Sequence, residues 1–296
     1  MNNITPSHPD TYINPTSKDW VPKTFDNFLS ELDHIISSCQ NRGSLVVFRG
    51  HSRSEWLLDS TFVRSCKAAI FGLPPMARLS AVISDSIELH FVLLNLFLLK
   101  FGVLVRPSSE LEVLAANDGI DAWFELMKRY QQFPEEDLSY LKGSHLLDWT
   151  QSSEIALYFA NYKRSGEGAV YICDATATGE TLQIISVGEI LERMDETGNA
   201  GKPLGCPLLF HPQKQILCKR ANNQQAVYFA QMDLRYDLEA QWRLREREIE
   251  DEKIIIKLVL PSGCEKVVEQ YLLDRGITNS FIYPNERTIC QTSAQG

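Results

Sequence analysis

The stretch VVFRGHSRSEW (residues 46–56) decides where the first central strand of the fold begins and ends. Its opening Val-Val-Phe run joins two β-branched residues to an aromatic one, which is typical of a buried strand. Arg49 and Gly50 follow at once, so a cation and a chain-breaking residue stand where the strand leaves the core. A strand that ends in this way presents a side chain to a partner or a ligand. The question is which group the Arg49 side chain binds.

The composition is that of an ordinary globular protein. The chain has 296 residues, of which 44% are hydrophobic and 23% are charged, enough for one large domain or two modest ones. Its formal net charge is −9. Sequence-independent binding of nucleic acid depends on an excess of Lys and Arg, so the acidic balance argues against that function.

The cysteines, histidines and apolar stretches indicate a cytoplasmic protein without a metal site or a membrane span. Seven cysteines are widely spaced with no Cys-x-x-Cys pair, and six histidines are thinly spread. The first twenty residues lack the basic and apolar regions of a signal peptide. The most apolar stretch, residues 91–105, is interrupted by Asn95 and Lys100, which favours a core helix.

The order of elements predicts an α+β protein rather than a regular parallel α/β array. Residues 1–22 hold four prolines and many polar residues, and are predicted to be a flexible tail. Residues 23–290 are predicted to form a single domain with a helical insertion at about 66–145. A helix that Thr24 caps opens this domain, and strands with interspersed helices follow the insertion. The expected core is a mixed β-sheet with N-terminal helices packed on it.

Three distant segments together resemble the FRG domain family, which is named for a Phe-Arg-Gly motif. They are VFRGHSRSEWLLDSTFVRS (residues 47–65), LLDWTQSSEIALYFA (146–160) and KRANNQQAVYF (219–229). The Leu-Leu-Asp-Trp-Thr motif with its downstream helix is the most specific of the three, and the resemblance covers about residues 25–290. It implies an intracellular microbial setting, such as a toxin or a phage-defence effector.

The chain departs from the FRG pattern at two places. Family members usually carry a Gln-His or His-His pair before Leu-Leu-Asp-Trp-Thr, whereas Gln131 and Gln132 stand there in this chain. The glycine that follows Gln-Gln in the family is replaced by Ala226. These departures leave open a protein that keeps the cleft of the family without its catalysis.

A weaker resemblance links VVFRG and DWTQSSEIALYFA to ADP-ribosyltransferases of the arginine-serine-glutamate type. It implies a split β core like that of the transferases, and NAD as the substrate. In those enzymes the arginine binds the NAD pyrophosphate, hydroxyl groups organise the pocket and a glutamate acts on the nicotinamide ribose. The late Glu-x-Glu matches in this chain fall in the charged run EREIEDE (residues 246–252), which is typical of a solvated face.

Six residues are candidates for binding NAD or another nucleotide. A guanidinium offers a rigid fork of donors that matches phosphate oxygens, which favours an arginine for this role. A structural ion pair between Arg49 and Asp148 is the alternative role for Arg49, and helix capping is the alternative for the hydroxyl groups. The candidates are Arg49, Gly50, Arg64, Trp149, Thr150 and Ser152.

Three further residues are candidates for catalysis. Asp148 lies in an apolar run, where a carboxylate is costly to bury unless it is paired. Glu88 is a candidate carboxylate on a long helix, although a helix-surface role is the alternative. Gln225 can orient a ribose hydroxyl but carries no charge. We expect Arg49, Asp148, Thr150 and Gln225 to face one cleft.

Two classes of function follow from these candidates. The first is an ADP-ribosyltransferase or NAD glycohydrolase. The second is a catalytically inactive module that binds a nucleotide or a protein with the same cleft. A protein partner or regulator is also compatible with the charged segment RLREREIEDE (residues 243–252).

Overall fold

An eight-stranded mixed sheet forms the centre of the protein. The computed structural model describes residues 4–100, 140–176, 208–210, 219–248 and 253–284. Within them the strands are β1 (Thr11–Ile13), β2 (Trp20–Pro22), β3 (Val46–His51), β4 (Leu146–Thr150), β5 (Gly168–Asp174), β6 (Leu208–Phe210), β7 (Ala226–Ala230) and β8 (Ile255–Leu260). Their order across the sheet is β1-β2-β8-β5-β3-β4-β7-β6.

Helices separate many of these strands along the chain. They are α1 (Phe25–Gln40), α2 (Thr61–Ala69), α3 (Leu79–Val82), α4 (Ile87–Leu99), α5 (Ser153–Asn161), α6 (Lys219–Asn223), α7 (Leu238–Glu248), α8 (Glu265–Leu273) and α9 (Asn279–Ile282). The predicted α+β class is therefore confirmed. In the described part of the chain, no helix is long and apolar enough to cross a membrane.

The two neighbours of β3 are joined to it very differently. Six antiparallel pairs connect β3 to β5, from Val46 opposite Asp174 to His51 opposite Ala169. On the other side, a single pair connects β3 to β4, with Phe48 opposite Thr150. The two strands separate beyond this pair, so Arg49 and Gly50 lie where the sheet opens.

Three buried clusters pack against the sheet. Alternate side chains of β4 enter different clusters, because successive residues of a strand face opposite sides. Leu146 joins the cluster built with α2 and α4, whereas Trp149 joins one that includes Trp242 of α7. Phe48 belongs to the third cluster, which α1, α5 and α8 complete.

Gly50 allows α5 to lie directly on β3. A Cβ atom at this position would be 1.8 Å from the main-chain oxygen of Ala156 and 2.6 Å from the main-chain nitrogen of Ala160. Both atoms belong to the helix backbone, which cannot move aside as a flexible side chain could. The glycine of the Phe-Arg-Gly motif is therefore required by helix packing.

The N-terminal residues differ from the predicted flexible tail. Among the described residues of this segment, 11–13 and 20–22 form strands, and Trp20 pairs with Leu258 of β8. The indole of Trp20 is only 1% exposed, so the segment contributes to the core. The Glu31 carboxylate also accepts hydrogen bonds from the main-chain nitrogens of Ser7 and His8, at 2.9 and 2.7 Å.

The predicted helical insertion is described in part. Between residues 66 and 100, the end of α2 is followed by α3 and then by α4. Residues 101–139, which include the Gln131-Gln132 pair, lie outside the described residues.

Candidate functional site

A cleft opens where β3 and β4 separate, and we call it the Arg49 cleft. Its volume is about 160 Å³. The residues that line it come from β3, β4, α5, α6 and the start of β7. They are Phe48, Arg49, Gly50, Asp148, Trp149, Thr150, Phe159, Arg220, Gln224 and Ala226.

Arg49 bridges the gap between the two separated strands. Its Nη1 donates a hydrogen bond to the main-chain oxygen of Asp148. Its Nε donates to Nε2 of His51 at 3.1 Å. The hydrogen bond to Asp148 is thus made with the backbone, whereas the sequence-based alternative was an ion pair with the carboxylate. The Asp148 side chain itself is exposed.

Burial changes the acid–base behaviour of Arg49 and His51. Desolvation lowers the pKa of Arg49 to about 10, partly opposed by the negative charge of Asp148. The arginine therefore remains charged at neutral pH. Burial, together with the charge of Arg49, holds the pKa of His51 well below its usual range. His51 is neutral and accepts at Nε2, which assigns its proton to Nδ1.

A second arginine lines the cleft from α6. The guanidinium carbon of Arg220 lies 4.7 Å from the ring centre of Tyr283, within the range of a cation–π contact. Tyr162 is also near, with its ring centre 6.5 Å from that of Tyr283. Arg220 lies in the KRANNQQ segment, and its placement in the cleft depends on contacts between distant segments.

Arg64 lies outside the lining and binds the start of its own helix. Its Nη1 donates to the main-chain oxygen of Asp59, and its Nη2 donates to Oγ1 of Thr61 at 2.9 Å. Desolvation lowers the pKa of Arg64, although the carboxylates of Asp59 and Asp148 oppose that shift. From outside the lining, the positive charge of Arg64 contributes to lowering the pKa of Arg49.

The hydroxyl groups of Thr150 and Ser152 both take part in local structure. Oγ1 of Thr150 donates to the main-chain oxygen of Gln224 at 2.7 Å and accepts from the main-chain nitrogen of Ser152. Ser152 is the N-cap of α5, and its Oγ accepts from the main-chain nitrogen of Ile155 at 3.3 Å. Thr150 lines the cleft, whereas Ser152 does not.

The two glutamines of the third motif have different positions. Gln225 is exposed, with a φ of +43°, and its main-chain oxygen accepts from the main-chain nitrogen of Gln151. Gln224 lines the cleft, and its Nε2 donates to the main-chain oxygen of Ile282 at 3.1 Å. The tight turn before β7 therefore presents Gln224, the neighbour of the glutamine predicted from the sequence.

Two other predicted residues do not present their side chains to the cleft. The Trp149 indole is 2% exposed and packs edge-on against Phe229 and Trp242, with ring centres 5.3 and 5.6 Å away. Glu88 is exposed in the first turn of α4 and lies outside the lining. Hydrogen bonds from its own main chain and from Ser86 lower the pKa of Glu88.

Comparisons with protein-family models, with curated proteins and with solved structures find no match for this chain. The Arg49 cleft is therefore interpreted from its own geometry. Among the described residues, no group of three His, Cys, Asp or Glu side chains could hold a metal ion.

Proposed function

We propose that the Arg49 cleft binds the pyrophosphate of a nucleotide, with NAD as the expected ligand. One observation carries this proposal: Arg49 and Arg220, from distant parts of the chain, line the same small opening. Guanidinium groups bind phosphate oxygens through two parallel hydrogen bonds. Arg49 is positioned by a strand, which limits its motion and favours a defined binding geometry.

The size of the cleft indicates which part of a nucleotide it would hold. Its volume of about 160 Å³ is below the about 300–1,000 Å³ of pockets that enclose a whole small molecule. Phosphate groups would occupy the opening, and the remainder of the ligand would extend over the surface. Tyr283 contacts Arg220, and Tyr162 lies beside Tyr283; both could offer an aromatic ring to a base or to nicotinamide.

The same cleft supports an NAD-consuming activity, as an ADP-ribosyltransferase or an NAD glycohydrolase. Cleavage of the nicotinamide–ribose bond develops positive charge on the ribose, which a nearby carboxylate stabilises. Asp148 lines the cleft with an exposed carboxylate and is our candidate for this role. The separation of β3 and β4 supports a core split like that of the transferases. Such an activity would suit an intracellular toxin or a phage-defence effector.

A binding module without catalysis is the second candidate. The Thr150 and Ser152 hydroxyl groups already make hydrogen bonds within the protein, so fewer hydroxyl groups are available to bind or to activate a ligand. Glu88 and Gln225 are absent from the cleft lining. These positions favour recognition of a nucleotide, or of a protein partner, over turnover.

Binding and nicotinamide release, measured on the same variants, distinguish the two candidates. In the purified chain, we expect NAD to raise the melting temperature and Arg220→Gln to abolish that shift. Arg275→Gln is the matched control, because Arg275 is exposed and is not among the residues that line the cleft. If NAD is consumed, Asp148→Asn should stop nicotinamide release and relieve toxicity on expression. Binding without release selects the module, and an absence of NAD binding refutes the proposal.

A further inference from the structure

A second and larger cavity lies under α7, and we call it the α7 cavity. Its volume is about 320 Å³, and it shares no lining residue with the Arg49 cleft. Tyr171 of β5 and Lys257 of β8 form part of its wall from the sheet, where they are paired neighbours. The loops before β2 and after β3 close it from the sides.

Two buried carboxylates in the cavity wall keep oxygen atoms that accept no hydrogen bond from the described residues. Glu239 is 6% exposed and accepts no hydrogen bond from the described residues; its oxygens lie 3.8 and 3.7 Å from the Nη2 atoms of Arg78 and Arg243. Asp19 is 8% exposed, and its Oδ2 accepts from Lys257 at 2.8 Å. The Oδ1 atom of Asp19 is buried without a donor. Buried acceptors are almost always satisfied, so the Oδ1 atom of Asp19 indicates a ligand that donates a hydrogen bond, and Glu239 could accept another beside its two ion pairs.

The same wall carries cationic groups with donor atoms that make no hydrogen bond to the described residues. Nη1 of Arg243 donates to Glu246 at 3.1 Å, whereas its Nε and Nη2 are buried and make no hydrogen bond, although Nη2 lies 3.7 Å from Glu239. Lys18 and Arg247 are exposed at the cavity and form no ion pair with the described residues. Glu239, Arg243 and Arg247 follow one another at four-residue intervals, so α7 presents them on one face. These groups indicate that the ligand also carries an anionic group.

An aromatic side chain completes the cavity. Trp56 is 37% exposed and lines it from the loop after β3. The hydroxyl group of Tyr171 donates to the main-chain oxygen of Trp56 at 3.1 Å, which fixes that loop on the sheet. An indole held in this way offers a flat surface to a base.

We propose that the α7 cavity binds a nucleoside phosphate. The phosphate would interact with Arg243, Arg247 and Lys18, the ribose hydroxyls would donate to Glu239 and Asp19, and the base would pack on Trp56. A simple anion would be repelled by the two carboxylates, and a simple cation by the surrounding basic groups. A phosphorylated ribose has both the negative charge and the hydroxyl donors that the wall requires. This site does not rest on the function proposed for the Arg49 cleft.

Calorimetry with AMP tests the site on the full chain. We expect AMP to bind, and 2′,3′-dideoxy-AMP to bind about tenfold or more weakly because it lacks the ribose donors. Arg247→Gln should weaken AMP about tenfold or more while leaving adenosine unchanged, because the variant removes a phosphate contact only. Arg275→Gln, which removes one positive charge elsewhere, should leave AMP binding as in the wild type. The dideoxy ligand tests whether the ribose hydroxyls donate hydrogen bonds to Glu239 and Asp19, and it does so without a substitution in the protein.

The outcomes separate this proposal from the one for the Arg49 cleft. If Arg220→Gln abolishes the NAD response but keeps AMP binding, the two sites are independent and the α7 cavity is supported. If Arg220→Gln instead abolishes AMP binding and Arg247→Gln does not weaken it, the nucleotide belongs to the Arg49 cleft and this proposal is overturned. Inorganic phosphate that binds as tightly as AMP would overturn the ribose assignment, and folded protein that binds no AMP would refute the site.

Discussion

Replacement of Arg49 by alanine tests the bridge between β3 and β4 directly. The substitution removes the donors to the main-chain oxygen of Asp148 and to Nε2 of His51. His51 is 6% exposed, so its nitrogen would lose its partner in a place where water has little access. We therefore expect Arg49→Ala to destabilise the fold as well as to weaken a ligand.

The two lost contacts set the size of this effect. A hydrogen bond from a charged donor contributes about 1.5–3 kcal/mol, and removal of the buried cation also removes its desolvation cost, which offsets part of the loss. The expected decrease in the free energy of unfolding is about 2–4 kcal/mol for Arg49→Ala. Arg49→Lys keeps the charge without the planar fork and should lose about 1–2 kcal/mol. Because Asp148 contributes its main-chain oxygen, its side chain should couple to Arg49 by less than about 1 kcal/mol.

Urea denaturation measures these values, and a double-mutant cycle with Asp148→Ala measures the coupling. Arg275→Ala is the control: this exposed arginine stacks on Tyr271 at 3.6 Å, so its loss should change the unfolding free energy by about 1 kcal/mol or less. An Arg49→Ala variant as stable as this control would refute the bridge. A coupling of about 3–5 kcal/mol would instead restore the side-chain ion pair as the explanation.

Three other predictions concern stability. Gly50→Ala should lower the free energy of unfolding by at least about 1–3 kcal/mol, because the new Cβ atom overlaps the α5 backbone; a variant of wild-type stability in urea would contradict that packing. Trp20→Ala should lower the free energy of unfolding by about 3–5 kcal/mol, since the indole is 1% exposed. A negligible loss of stability would instead support the predicted flexible tail for residues 4–22. Burial lowers the pKa of His145 to about 3, so the unfolded chain binds more protons between pH 6.5 and 3, and stability should fall as the pH falls through this range. His145→Phe should reduce that fall by up to about 1.4 kcal/mol per pH unit, and an unchanged pH profile would exclude His145 as a cause.

Local patterns in the sequence predicted several elements correctly because short-range contacts form them. Thr24 caps α1 as expected, and its side chain accepts from the main-chain nitrogen of Asn27 at 3.2 Å. The apolar run before Arg49 forms β3, and the helix expected after the Leu-Leu-Asp-Trp-Thr motif is α5. In each case the residues that determine the element are adjacent in the chain.

Long-range contacts could not be predicted in the same way. The partner of Arg49 is an oxygen in a strand 99 residues away, and its position depends on the separation of β3 from β4. Gln224 lines the cleft and Gln225 does not, because the backbone turn before β7 determines which of the two side chains faces the cleft. Proline content suggested a tail at the N-terminus, whereas Trp20 and its partner Leu258 make that segment part of the sheet. The cavity under α7 likewise combines segments that show no common motif.

A single ladder pair joins β3 to β4 near the middle of the sheet. Five strands lie on one side of it and three on the other, in the order β1-β2-β8-β5-β3 and β4-β7-β6. One ladder pair and the guanidinium of Arg49 connect the two panels along this line, and α5 packs against both β3 and β4. A phosphate that binds this guanidinium competes with the carbonyl of Asp148 for the same donors. If the proposed phosphate binds there, the junction between the two panels would lose this hydrogen bond, and α5 would remain as a contact between them.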